Sequence, residues 1–213
     1  MISINGTMIF PVQFILVSNK RHIEYFPPCF FSCHTLTSLH ISVAHPQKTL
    51  FPNSLNFPAL TSLSLRCFVF CVGDDGRVEP FLAFNRLKSL ILRYCIALDK
   101  QNICISSATL DNLTIECCKF ELCTPSLRTF VYKGTPIVQQ LCRSKSNLSS
   151  VKHVNITLKS LLNSAKTSLV LHNWLVELAN MESLTICSNT LEVGPGLGAM
   201  FKAYIMSIKC MST

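Results

Sequence analysis

Charge is scarce in this sequence. Only 14% of its 213 residues are Asp, Glu, Lys or Arg, against about 25% in an ordinary soluble domain. That excludes a disordered chain, a coiled coil and a charge-rich helical bundle. Glycine is scarce too, with seven residues, which argues against phosphate-cradling loops. The most apolar N-terminal stretch, Met8 to Val17, is ten residues long and interrupted by Pro11, far short of the roughly 20 of a membrane span. No basic residue precedes it and no small-residue cleavage site follows, so no secretory signal is expected. No cysteine pair has the C-x2-C spacing of a zinc ribbon or thioredoxin-like motif, and G-x-S-x-G, Walker and H-E-x-x-H motifs are missing. The expectation is a chain with no catalytic residue, no cofactor and no metal, and one that is not an enzyme.

Apolar residues make up 49% of the chain, enough for a sizeable core. Twelve cysteines are present, and nineteen basic against eleven acidic residues give a net charge of +8. At this length a core can stabilise itself without disulfide staples. The cysteines are therefore expected to be free thiols in a reducing compartment, cytoplasmic or nuclear. On that expectation the four N-x-[ST] sequons, at Asn5, Asn112, Asn147 and Asn155, are chance matches.

One pattern organises the sequence: apolar, two residues, apolar, one residue, apolar. It occurs as Val12-Ile15-Val17, Leu36-Leu39-Ile41, Leu60-Leu63-Leu65 and Leu87-Leu90-Leu92. It returns as Leu110-Leu113-Ile115, Leu127-Phe130-Tyr132, Val151-Val154-Ile156 and Met181-Leu184-Ile186. The starts lie 24, 24, 27, 23, 17, 24 and 30 residues apart, six of the seven near the period of leucine-rich repeats, which is about 20–29. The wording also recurs: LTSLHIS from Leu36, LTSLSLR from Leu60, LKSLILR from Leu87, LDNLTIE from Leu110 and MESLTIC from Met181. The Asn/Cys position, eight residues after the first apolar one, holds Cys95, Cys118 and Asn189. Ala44, Phe68, Thr135 and Lys159 hold it in other copies, so the repeats are degenerate.

Each L-x-L core alternates like a short strand. One strand cannot bury its apolar side alone, and stacked neighbours close a continuous core. The predicted fold is α/β: a leucine-rich-repeat solenoid with a curved parallel sheet and an irregular convex side of loops and short helical segments. About eight repeats fill residues 12–193, between divergent ends at 1–11 and 194–213. A helix is predicted from Ser168 to Met181, with Leu169, Leu171, Leu175, Leu178 and Ala179 on one face. The alternate strand positions predict a concave binding face of Ser38, His40, Ser62, Ser64, Arg66, Arg93, Thr114, Glu116, Lys133, His153 and Asn155. That face is polar and mildly basic. It lacks the dense basic stripe and stacking aromatics of nucleic-acid readers, so no nucleic acid and no membrane is expected. The other reading of the same face is a merely solvated sheet surface; the sharper one is a surface for an acidic or phosphorylated protein partner.

Several segments carry a family resemblance. FFSCHTLTSLHIS (Phe30 to Ser42), FPALTSLSLRCFVF, FNRLKSLILRYC, ISSATLDNLTIECC and LVELANMESLTICSNTLEV resemble successive repeats of plant F-box proteins with leucine-rich repeats, often of the F-box/FBD type. The resemblance covers about Val12 to Val193. It implies recognition of a protein substrate for a cullin-type ubiquitin ligase, with the chemistry carried by other subunits. In that family an F-box docks the Skp adaptor. Eleven residues before Val12 leave no room for one, so the Skp partner is in doubt. The last twenty residues leave no room for a complete FBD region.

The remaining candidates have plainer readings. Cys29-x3-Cys33-His34, Cys67-x3-Cys71 and Cys117-Cys118-x4-Cys123 could suggest a metal, but free Cys is among the most buried residue types. The repeat places Cys95 and Cys118 beneath turns, and Cys67, Cys117 and Cys187 at or beside strand ends. Six scattered histidines offer no catalytic pairing. Gly73-Asp74-Asp75-Gly76 reads as a turn, since the other calcium-loop ligands are missing, and Gly194-Pro195-Gly196-Leu197-Gly198 as a flexible end. Two other classes stay open: an extracellular receptor-like repeat domain, or a truncated product without an independent role.

Overall fold

The computed structural model describes residues 12–18, 33–43, 49–52, 55, 57–73, 76–138, 140–142, 148–158 and 165–187. The two divergent ends, Asn189 and Gly194–Gly198 lie outside these residues.

Strands form where apolar and small polar residues alternate, because successive side chains leave opposite faces of a pleated backbone. In chain order they are β1 (Val12–Ser18), β2 (Leu36–Val43), β3 (Ser62–Arg66), β4 (Val69–Phe70), β5 (Ser89–Arg93) and β6 (Ile96–Ala97). They continue with β7 (Ile103–Ser106), β8 (Asn112–Glu116), β9 (Phe120–Cys123), β10 (Thr129–Lys133), β11 (His153–Thr157) and β12 (Ser183–Ile186). Among the described residues one α-helix, α1 (Ala165–Glu177), precedes β12. The protein is α/β, with one large sheet in the order β1-β2-β3-β5-β8-β10-β11-β12 and small two-stranded sheets β4-β6 and β7-β9. All these pairings are parallel.

The recurring triplet fixes the packing. Its first position, Leu36, Leu60, Leu87, Leu110, Leu127, Val151 and Met181, is buried in each of these seven copies. The two inward strand positions meet in register: Leu39, Leu63, Leu90, Leu113, Phe130, Val154 and Leu184 form one row. Ile41, Leu65, Leu92, Ile115, Tyr132, Ile156 and Ile186 form the next. From β2 to β11 these side chains are almost fully buried, each stabilising the fold by about 1.5–3 kcal/mol.

The first copy departs from the expectation. The repeat pattern reads its triplet as Val12-Ile15-Val17, but the register shifts between Val12 and Gln13. Phe14 and Leu16 therefore pair with Leu39 and Ile41, and Ile15 pairs with His40. Ile15 is 68% exposed. A one-residue slip turns every side chain of a strand to the other face.

The strands end at one recurring turn. Cys67 (φ 63°), Tyr94 (φ 54°), Cys117 (φ 53°) and Gly134 (φ 142°) follow β3, β5, β8 and β10 directly. Their backbone N–H groups donate to Arg93, Glu116, Lys133 and Thr157 carbonyls at 2.8–2.9 Å, extending the ladder one residue past each strand. A left-handed residue costs about 1–2 kcal/mol without glycine, and these bonds help to offset it.

Behind the sheet lie the small sheets, an aromatic cluster and α1. Phe51, Phe68, Phe70 and Phe81 make edge-on contacts at 5.2–5.7 Å. Trp174 packs edge-on against Tyr132 at 4.8 Å and against Phe120 at 5.9 Å. The helix runs three to four residues earlier than predicted, and its buried side includes the predicted Leu171, Leu175 and Leu178 but not Leu169 or Ala179. Thr167, Val170, Leu171, Trp174, Leu175 and Leu178 are buried, whereas Leu169 is 61% exposed and Ala179 is exposed. Packing around Trp174 sets this face; a count of leucines alone placed Leu169 on it.

Candidate binding face

The side of the large sheet away from the core carries the alternate residues of its strands from β2 to β12. The structure brings the eleven predicted residues together here, in three rows running across the strands. Ser38, Ser62 and His153 stand in the first row, which Ser89, Asn112, Thr129 and Ser183 complete. His40, Ser64, Thr114 and Asn155 stand in the second, with Ile91, Val131 and Thr185. Arg66, Arg93, Glu116 and Lys133 are consecutive in the third, flanked by Ser42 and Thr157. None of the eleven is buried. The residues that complete the rows were missed, although the same alternation rule, applied to every strand, finds them.

The third row holds the strongest electrostatics. Glu116 is the acceptor at its centre. Tyr94 Oη donates to its Oε1 at 2.6 Å, and Arg93 Nε lies 3.6 Å from its Oε2. The guanidinium of Arg66 sits 5.6 Å from the centre of the Tyr94 ring, within cation–π range. The left-handed turn at Tyr94 places its ring at this end of the strands. This tyrosine was not singled out from the sequence, because it follows the strand and breaks the alternation.

A second charged row lies one residue before the strands. Lys88 Nζ is 3.6 Å from Asp111 Oδ2, and Lys152 Nζ is 2.8 Å from Glu182 Oε1. The ammonium beside Glu182 lowers that carboxyl from its ordinary value.

The cysteines serve the turns. Cys95 and Cys118 are 0% and 1% exposed. The Cys95 backbone N–H donates to Cys118 Sγ at 3.3 Å. The two thiols bond back to strand-end carbonyls: Cys95 to Arg93 O at 3.5 Å, Cys118 to Glu116 O at 3.2 Å. The hydrogen bond to Cys95 and burial push the Cys118 thiol well above its ordinary value, so the thiol stays protonated at neutral pH. Cys33 is half-buried and His34 exposed. Among the described residues, no group of three or more His, Cys, Asp or Glu could hold a metal ion, and no helix is long and apolar enough to cross a membrane. Gly73 and Gly76 close a turn, with Gly76 N–H donating to Gly73 O at 3.0 Å; Asp74 and Asp75 lie outside the described residues.

A cleft of about 390 Å³ opens among the turns and is lined by Phe81, Phe84, Asn85, Ser107, Thr109 and Pro125, among others. No charged side chain lines it. The open sheet face is the richer site: it offers hydroxyls, amides, imidazoles, and charges of both signs. No family model, curated protein or solved structure matches the chain.

Proposed function

We propose that the chain is a non-catalytic protein-interaction module: a leucine-rich-repeat solenoid whose open sheet face is a concave surface that recognises a protein. The observation that carries this reading is the set of three in-register rows of outward side chains over a buried apolar core. Such a face is broad and polar, and its donors and acceptors are held at the roughly 4.8 Å strand spacing. It suits the surface of a macromolecule better than an enclosed small molecule, which binds in concave, largely apolar pockets. The resemblance to plant F-box proteins adds a role: presenting the bound substrate to a cullin-type ubiquitin ligase, in the cytoplasm or nucleus, with the transfer chemistry carried by other subunits. Skp docking belongs to an F-box and is not part of this proposal.

The test is affinity capture with the wild-type protein and with a Ser64→Tyr/Asn155→Tyr double variant. Both positions are half-buried on the open face, so added bulk there leaves the core intact. The reading expects wild-type partners to be lost by the double variant and kept by Lys119→Glu, at an exposed position outside the large sheet. An unchanged partner set in a folded double variant overturns it.

A further inference from the structure

The third row of the open face has an unequal charge count. In register it reads Ser42, Arg66, Arg93, Glu116, Lys133 and Thr157. Three cations face one carboxylate. Arg93 stands beside Glu116 and is paired with it at 3.6 Å, and Glu116 also accepts from Tyr94. Arg66 has like-charged Arg93 on one side and neutral Ser42 on the other. Like charges directly opposite each other on a sheet repel. The Arg66 guanidinium is meanwhile steered onto the Tyr94 ring, which limits its freedom before any ligand arrives.

We propose that this row is an anion-recognition subsite for an acidic segment of a protein partner, with anionic groups seated at Arg66 and at Lys133, on either side of Glu116. The inference rests on the protein-recognition reading above and names the chemistry of the partner. Guanidinium groups present a rigid fork of donors that matches carboxylate and phosphate oxygens. Four neighbouring strands set Arg66 and Lys133 about 14 Å apart, the length of roughly four extended residues. Hydroxyls and amides of the adjacent row, Ser64, Thr114 and Asn155, supply neutral contacts to the peptide backbone. Glu116 acts as a spacer: it holds Arg93 and Tyr94 in place and disfavours an anion directly above itself.

The experiment is fluorescence anisotropy on the full chain with four labelled probes: a hexaglutamate peptide, a phosphoserine peptide of equal net charge, a hexaglutamine peptide, and a single-stranded oligonucleotide of the same charge. The anionic probes should bind at least about tenfold more tightly than hexaglutamine, and less tightly as salt rises. Arg66→Glu and Lys133→Glu should each weaken anionic binding by about tenfold, and Glu116→Gln should strengthen it by about threefold. The gain in Glu116→Gln separates a charge effect from simple loss of fold. Lys119→Glu makes the same charge change elsewhere and should leave binding unchanged. A preference for phosphoserine assigns a phosphoryl group to the site, and a preference for glutamate assigns carboxylates; either supports the proposal. Equal binding of hexaglutamine, an equal loss in Lys119→Glu, or tighter binding of a single-stranded oligonucleotide of the same charge overturns it. If neither anionic probe binds while Ser64→Tyr/Asn155→Tyr still releases a captured partner, recognition stands and the anion assignment falls.

Discussion

Gly134 and Gly76 share a positive φ and differ in surroundings. A Cβ at Gly134 would meet Cys117 Sγ at 3.2 Å and Cys117 N at 3.3 Å, whereas one at Gly76 meets nothing within 4 Å. Gly134→Ala should therefore cost about 2–3 kcal/mol, and Gly76→Ala about 1 kcal/mol, measured by urea unfolding. Protonation gives a second residue-level prediction. The Cys118 thiol is raised by its bond with Cys95 and by burial, and the Tyr132 phenol is raised by burial. Both groups keep their protons longer in the folded chain than in the unfolded one. The stability they contribute is complete below about pH 8.5, and is lost as the unfolded thiol and then the phenol, near pH 10, ionise. The urea midpoint should be level from about pH 7 to 8 and fall steadily above that. In Cys118→Ala the fall above about pH 8.5 should be shallower, because the Cys67 thiol, also raised by burial, keeps part of it. A midpoint level to about pH 10.5 contradicts the assignment. The turn role of Cys95 and Cys118 was legible from repeat position. The left-handed backbone at Cys67 and Tyr94 was not, because nothing in those residue types signals it.

The helix shows how an element's identity can be legible when its face is not. Periodic leucines revealed α1, but the core needed Val170 and Trp174 as well as Leu171. Trp174 also donates from Nε1 to Val138 O at 2.9 Å, and Glu177 accepts from the N–H groups of Leu141 and Cys142 at 3.0–3.2 Å. The helix thus ties the 138–142 segment to the core. Trp174→Ala should cost about 3–5 kcal/mol, and Leu169→Ala less than about 0.5 kcal/mol. Comparable losses at both positions in thermal unfolding contradict this face assignment. The short strands β4, β6, β7 and β9 were illegible for another reason: two to four residues carry too little periodicity. In β1 apolar residues occupy both alternations, so the triplet pattern chose Val12-Ile15-Val17, whereas pairing with β2 sets Phe14 and Leu16 against Leu39 and Ile41.

At the scale of the whole molecule, each copy supports its neighbours, so position along the sheet should govern cost. Leu113 lies between two strands and is 1% exposed, whereas Leu184 in β12 is only partly buried. Leu113→Ala should lose about 3–5 kcal/mol and Leu184→Ala less than about 2 kcal/mol. The sheet was legible because the repeat is a nearest-neighbour code: one triplet per strand sets both the core rows and, by alternation, the open face. What the sequence hid was the connection from Arg66 through Tyr94 to Glu116, which depends on a turn residue leaving the alternation. The central claim is that partners are read by the open sheet face. The most direct test is site-specific photo-crosslinking, with the crosslinker at Ser64 on that face or at exposed Leu98 on the opposite layer. Crosslinked partner from Ser64 and none from Leu98 is the expected result. Partner captured from Leu98 and not from Ser64 contradicts the account.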